Sequence, residues 1–166
     1  MTAEDIKRLL HLVPHSEGGS YIQTYKSSVS FPPEALTSLY DGPRSTGTAI
    51  YYLLEPGTFS EMHRLRSDEI FHFYLGDPVE MLQLSPNGAT RVVQLGTDLS
   101  SGQQPQVVVP KNVWQGSRLI PGGRFALLGC TVSPGFEFAD YQSGHRDALV
   151  AQYPSQAGLI TVLTRG

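Results

Sequence analysis

Residues 57–76 read GTFSEMHRLRSDEIFHFYLG, two short apolar runs around a polar turn. Phe59 to Leu65 and Glu69 to Leu75 alternate with the period of two that half-buried strands show, so Arg66 to Asp68 are expected to close a β-hairpin. The alternation puts His63 and Leu65 on one face of the first strand, and Glu69, Phe71 and Phe73 on one face of the second. His63 and Glu69 are thereby expected to share an interior. His72 and Tyr74 turn the other way, an order that a bulge would reverse.

The pattern continues on both sides. From Thr48 onward AIYYLLE, FSEMHRL, EIFHFYL, VEMLQL, TRVVQL, QVVVP, VWQGSRL and RFALLGCTV follow one another, separated by turn-forming PG, SD, GDP, PNG, SSG, KN and PGG. Strands at that spacing make an all-β chain, an antiparallel sandwich or barrel. At the N-terminus Thr2 and Asp5 form a capping pair ahead of Ile6, Leu9, Leu10 and Val13, whose spacing predicts a helix ended by Pro14. HSEGG reads as a turn, SYIQTYKS as a strand, and FPPEALTSLYDGPRSTG as a long connection suited to function or an oligomer contact. HRDALVAQY predicts a short helix stopped at Pro154, whereas GLITVLT fits helix or strand.

With 166 residues the chain is expected to form one domain over 1–166, with its core barrel at about 47–140. The 17 glycines and 12 prolines supply the many turns of a β-rich body. A net charge of -3 without a Lys/Arg cluster argues against nucleic acid as a partner. No run approaches the roughly 18 apolar residues of a membrane span, and MTAEDIKRLLHLV lacks the layout of a signal peptide, so a cytoplasmic protein without a membrane partner is expected. GPRSTG lacks the lysine of a phosphate-binding loop. Cys130, the one cysteine, lies in the apolar run RFALLGCTV and is expected to pack.

Gly57, His63, Glu69 and Gly76 stand at the spacing of the first cupin motif: glycine, five residues, His-x-His, three or four residues, Glu, six residues, glycine. Leu65 holds the place of the second histidine. VVVPKNVWQGS resembles the second motif, with Pro110 in register, Asn112 at the usual glycine and Gln115 close to the ligand histidine. In order and wording, EGGSYIQTY, SDEIFHFYLGDP, VPKNVWQGS and GCTVSPGFEF are similar to a group of small single-domain cupins whose biochemical function is unassigned. The resemblance implies a double-stranded β-helix, the RmlC-like jelly-roll barrel, here with an N-terminal helix and short C-terminal helical segments. It also implies a homodimer, for which the Phe31 to Gly47 loop is a natural contact. It implies no reaction.

Transition-metal cupins commonly use three histidines and a glutamate, matching the taste of such ions for imidazole and carboxylate. Here only His63 and Glu69 are in register, with Gln115 a neutral amide and His72 available only from an inward bulge. No cofactor is required on this reading. A buried Glu69 needs a partner, for which His63, Arg64 and Arg66 are candidates. The expected ligand-binding set is His63, Glu69, Phe71, Trp114 and Gln115, with SPGFEFADY closing over the pocket or meeting a second subunit. The leading expectation is a protein of unassigned activity that binds a small molecule in the barrel; if it is an enzyme, isomerase or epimerase-like proton transfer is favoured, with His63 as the base and Glu69 orienting it, a plan that resembles the sugar-nucleotide epimerases of the superfamily. The alternative is a metal-dependent oxygenase or hydrolase holding a divalent transition metal on His63, Glu69, Gln115 and His72.

Overall fold

A computed structural model describes residues 1–36 and 39–165. Thirteen strands are assigned among them: β1 (Val13–Pro14), β2 (Ser20–Lys26), β3 (Ser30–Phe31), β4 (Arg44–Ser45), β5 (Thr48–Leu54), β6 (Phe59–Arg64), β7 (Asp68–Gly76), β8 (Val79–Leu84), β9 (Thr90–Leu95), β10 (Gln106–Val109), β11 (Trp114–Leu119), β12 (Ala126–Ser133) and β13 (Gln142–Ser143). The helices are α1 (Ala3–Leu10), α2 (Pro33–Leu36), α3 (Arg146–Gln152) and α4 (Ala157–Val162). One sheet runs β1-β2-β5-β12-β7-β10, its partner runs β13-β6-β11-β8-β9, and β3 pairs with β4. The two sheets enclose the mostly β barrel, and Tyr52, Leu54, Phe71, Met81, Val107 and Leu128 fill the space between them.

The strands form where alternation places them, but the hairpin expected over 57–76 is absent. β6 belongs to one sheet and pairs with β11 and β13, while β7 belongs to the other and pairs with β12 and β10. The Leu65 to Ser67 connection therefore steps from sheet to sheet. Period-two patterning sets which face a side chain takes and says nothing about which strand lies alongside. Asn112, in the place of the motif's glycine, takes a left-handed φ of 64°, which an asparagine tolerates, and its N–H donates to Leu65 O at 2.8 Å.

Helices cover part of each outer face. The Thr2 and Asp5 capping box starts α1, which ends at a left-handed His11 rather than at Pro14. Ile6 and Leu10 pack with Leu53, Phe125 and Leu127 on the first sheet, while Leu9 and Val13 stay exposed. α3 and α4 bury Leu149, Ile160 and Leu163 against Met62, Leu82 and Leu84 of the second sheet, so GLITVLT is helical. That cover explains why β6 is buried on both faces. The 31–47 connection contains β3, α2 and β4; the oligomer contact expected of it falls partly on residues 37 and 38, outside the described residues. Among the described residues no helix is long and apolar enough to cross a membrane.

Candidate functional site

A cavity of about 290 Å³ opens between the sheets. Its wall carries Glu17 and Glu69 as buried carboxyls, with Tyr21, Tyr52, Phe71 and Phe136 among its rings. Glu17 comes from the HSEGG turn, whose Gly18 and Gly19 take φ of +108° and +69°. A side chain at Gly18 would overlap the carbonyl oxygen of Phe59, so only glycine lets the turn lie flat on β6. Tyr52 Oη donates to Gly18 O at 2.8 Å and Glu61 N donates to Glu17 O at 3.0 Å, which pins Glu17 in place.

His63, from β6, sits 2.7 Å by Nδ1 from the carbonyl oxygen of Glu61, a contact that requires the proton on Nδ1. Its Nε2 then accepts from the amide of Gln115 at 2.8 Å, and the second amide hydrogen of Gln115 goes to Glu69 Oε2 at 3.1 Å. Gln115 thus joins two residues on opposite sheets. Its Oε1 is buried and unpartnered. Tyr141 stacks on the His63 ring at 5.1 Å and donates from Oη to Glu61 Oε1 at 2.7 Å.

Burial sets the charges. It holds the His63 imidazole below its ordinary range, against the pull of Glu69, so the ring is neutral. It pushes Glu69 up to about 7 and Glu17 up to about 8, the latter with Glu61 adding like-charge repulsion. Glu17 Oε2 lies 3.6 Å from His63 Nε2, too far for a hydrogen bond. The buried Cys130 thiol faces Glu69 and is driven well above its usual range by desolvation. It packs in the cavity wall.

The expected site residues separate into two groups. His63, Glu69, Phe71 and Gln115 come together, although only Glu69 and Phe71 reach the cavity wall; His63 and Gln115 lie behind it, 2% and 1% exposed. Trp114 is corrected to the outer side. It packs with the α3 and α4 cluster under the Arg64 guanidinium, 4.5 Å from its ring, because neighbours on a strand face opposite ways. His72 is also on an outer face, with Nε2 3.2 Å from Thr131 Oγ1; the β7 and β12 register shift falls beyond it, at Tyr74, and leaves it turned outward. Arg64 and Arg66 are engaged by Gln142 and Asp41, so neither partners Glu69. Phe136, Glu137 and Phe138 of the SPGFEF run border the cavity, where Glu137 meets Lys26 at 2.6 Å. Sequence reasoning missed Glu17 and Ser60. The signal for Glu17 was a carboxylate directly before a Gly-Gly turn.

These donors do not fit a transition metal. Leu65 lines the cavity where a second histidine would stand, and the Gln115 amide directs hydrogens at both His63 and Glu69. Among the described residues no three His, Cys, Asp or Glu side chains gather as a cation site.

A family model described as Cupin superfamily (DUF985) matches residues 4–144. The crystal structure of protein SO0799 from Shewanella oneidensis is 38% identical, with a TM-score of 0.88 over 99% of this chain and 98% of that one. A hypothetical protein from Leishmania major is 29% identical, with a TM-score of 0.89 over the whole of both chains. An uncharacterized protein of Saccharomyces cerevisiae, YML079W, is 29% identical across 78% of this chain and 69% of its own length.

Proposed function

The chain belongs to the DUF985 family of the cupin superfamily, and on that premise we propose that its barrel binds a small molecule and moves a proton on it through Glu17 and Glu69. The observation that carries this reading is a pair of carboxyls from distant parts of the chain, buried on one cavity wall with no Lys or Arg paired to either among the described residues. Burying such groups unpaired is costly, and a binding site is where that cost is recovered. Burial raises both carboxyls toward neutrality, Glu17 to about 8 and Glu69 to about 7, so near neutral pH the pair can hold one proton between them, one carboxyl serving as acid and the other as base. This reverses the roles expected from sequence. His63, neutral and locked by Glu61 O, becomes a positioning residue that holds Gln115, which in turn aims Glu69.

The chemistry of the wall narrows the substrate. Lys26 is its one Lys or Arg and is bound to Glu137, so the phosphates of a nucleotide sugar would find no free cation. A carbonyl metabolite small enough for the cavity suits the acid and base better. The test is solvent deuterium exchange, followed by NMR, into a panel of small carbonyl metabolites with and without an amino group. Exchange should occur in the native protein and vanish in Glu69→Gln. Binding without exchange would remove the proton-transfer half, and absence of both would remove the reading.

The homodimer expected of the family is best seated on the outer face of the first sheet, where His72, Tyr74 and Val108 are displayed. Light scattering on the native chain and on Tyr74→Glu checks it, with conversion to a monomer expected.

A further inference from the structure

We infer that the ligand of this cavity is a small organic cation, an amine with a compact apolar body, whose ammonium sits between Glu17 and Glu69. The inference rests on the proposed reading of the cavity as a binding site and adds the charge class of what it holds. Three carboxyls, those of Glu17, Glu69 and Glu137, border the space, against one ammonium, Lys26, which Glu137 already neutralises. Other basic side chains nearby in the fold are committed elsewhere: Arg44 forms a buried pair with Asp140, and Arg165 meets Glu61 at 3.1 Å. His15 on the wall accepts the Glu17 N–H at Nδ1 and burial keeps its pKa down at about 4, so it adds no positive charge at neutral pH. An anion entering here finds no free cation to pair with.

A second feature points the same way. Ser60 lines the cavity, is 1% exposed, and its Oγ has no hydrogen-bond partner. A hydroxyl oxygen and two carboxyl groups converging on one space form an acceptor set, the complement of an ammonium with its three donors. The remaining wall is built from rings of Tyr21, Tyr52, Phe71 and Phe136, whose faces attract a cation and whose bulk holds an apolar body. A volume of about 290 Å³ is at the small end of ligand pockets. That size suits a single-ring amine.

The test compares benzylamine, benzyl alcohol and benzoate, which share a ring and differ in charge, by amide chemical shifts of the full-length isotope-labelled chain. Benzylamine should shift the amides of Glu17, Ser60, Glu69 and Phe71 and bind at least about tenfold tighter than the alcohol, with benzoate silent. Glu69→Gln or Glu17→Gln should weaken the amine by about tenfold or more. The charge series on the unaltered chain carries the test if either variant fails to fold. Alcohol or benzoate binding as tightly as the amine overturns the cation while leaving the pocket. An amine preference unchanged in both variants overturns it by placing the amine elsewhere. No shift at the cavity from any of the three overturns the inference, while the binding reading stands or falls on the carbonyl panel.

Discussion

The side-chain amide of Gln115 lies 2.8 Å from Nε2 of His63 and donates to it. In a metal-binding cupin those two positions would both ligate one ion; here one supplies a hydrogen and the other accepts it. The same amide reaches Glu69 at 3.1 Å, so a neutral bridge spans the barrel where the superfamily's cation would be.

Gln115→Leu tests that bridge. It would leave the buried Nε2 of His63 without a donor and Glu69 with one hydrogen bond fewer, a loss of about 1–3 kcal/mol. Urea unfolding should show the loss as a lower midpoint with an unchanged slope.

Stability should fall as pH rises through neutrality. Glu17 and Glu69 have folded pKa values raised to about 8 and about 7, so each contributes stability that is full below its unfolded value of 4.5 and is lost as pH climbs through the folded value. His15 works in the opposite sense, lowered to about 4, with its contribution present above 6.5 and lost as pH falls. From about pH 6.5 to about pH 8 the two glutamates set the slope, and the thermal midpoint should decline. Glu17→Gln should flatten that decline, and an equally steep one would show that Glu17 is not the group responsible.

Gly18→Ala should be costly despite adding a single methyl. The residue has φ of +108° and its added carbon would overlap Phe59 O, so a penalty of about 1–3 kcal/mol is expected. Because the turn also carries Glu17, ligand affinity should drop in the same variant. Melting curves and titration of any ligand found for the cavity measure both.

Trp114→Phe should leave cavity binding unchanged. The ring packs with α3 and α4 on the outer face, so the emission of the chain's one tryptophan should follow loosening of those helices rather than occupancy of the barrel. Fluorescence quenching by a cavity ligand would contradict this placement.

Much of the fold was legible because its signals are local. Apolar runs at short spacing marked β5 to β12, Thr2 and Asp5 marked the start of α1, and the glycines at 18, 57 and 76 marked turns that need a positive φ. Alternation also placed His72 outside correctly. The same rule applied one strand further would have placed Trp114 outside too, since its neighbour Gln115 was set inside. What misled was adjacency in the chain, which made Trp114 and Gln115 look like partners and made β6 and β7 look like a hairpin.

The amino-acid sequence by itself determined that this is a cupin barrel, and that Leu65 and Gln115 stand where two metal ligands would be. Both follow from the resemblance of its motifs, in order and wording, to those of the cupins, which needs no knowledge of distant contacts. Only the tertiary structure decided that Glu17 joins Glu69 on a cavity wall and that His63 stands behind them. Those relationships depend on which strands pair and on how an N-terminal turn closes against β6. Such long-range choices are made by the burial and hydrogen bonding of the whole barrel, to which no short stretch of sequence is a guide.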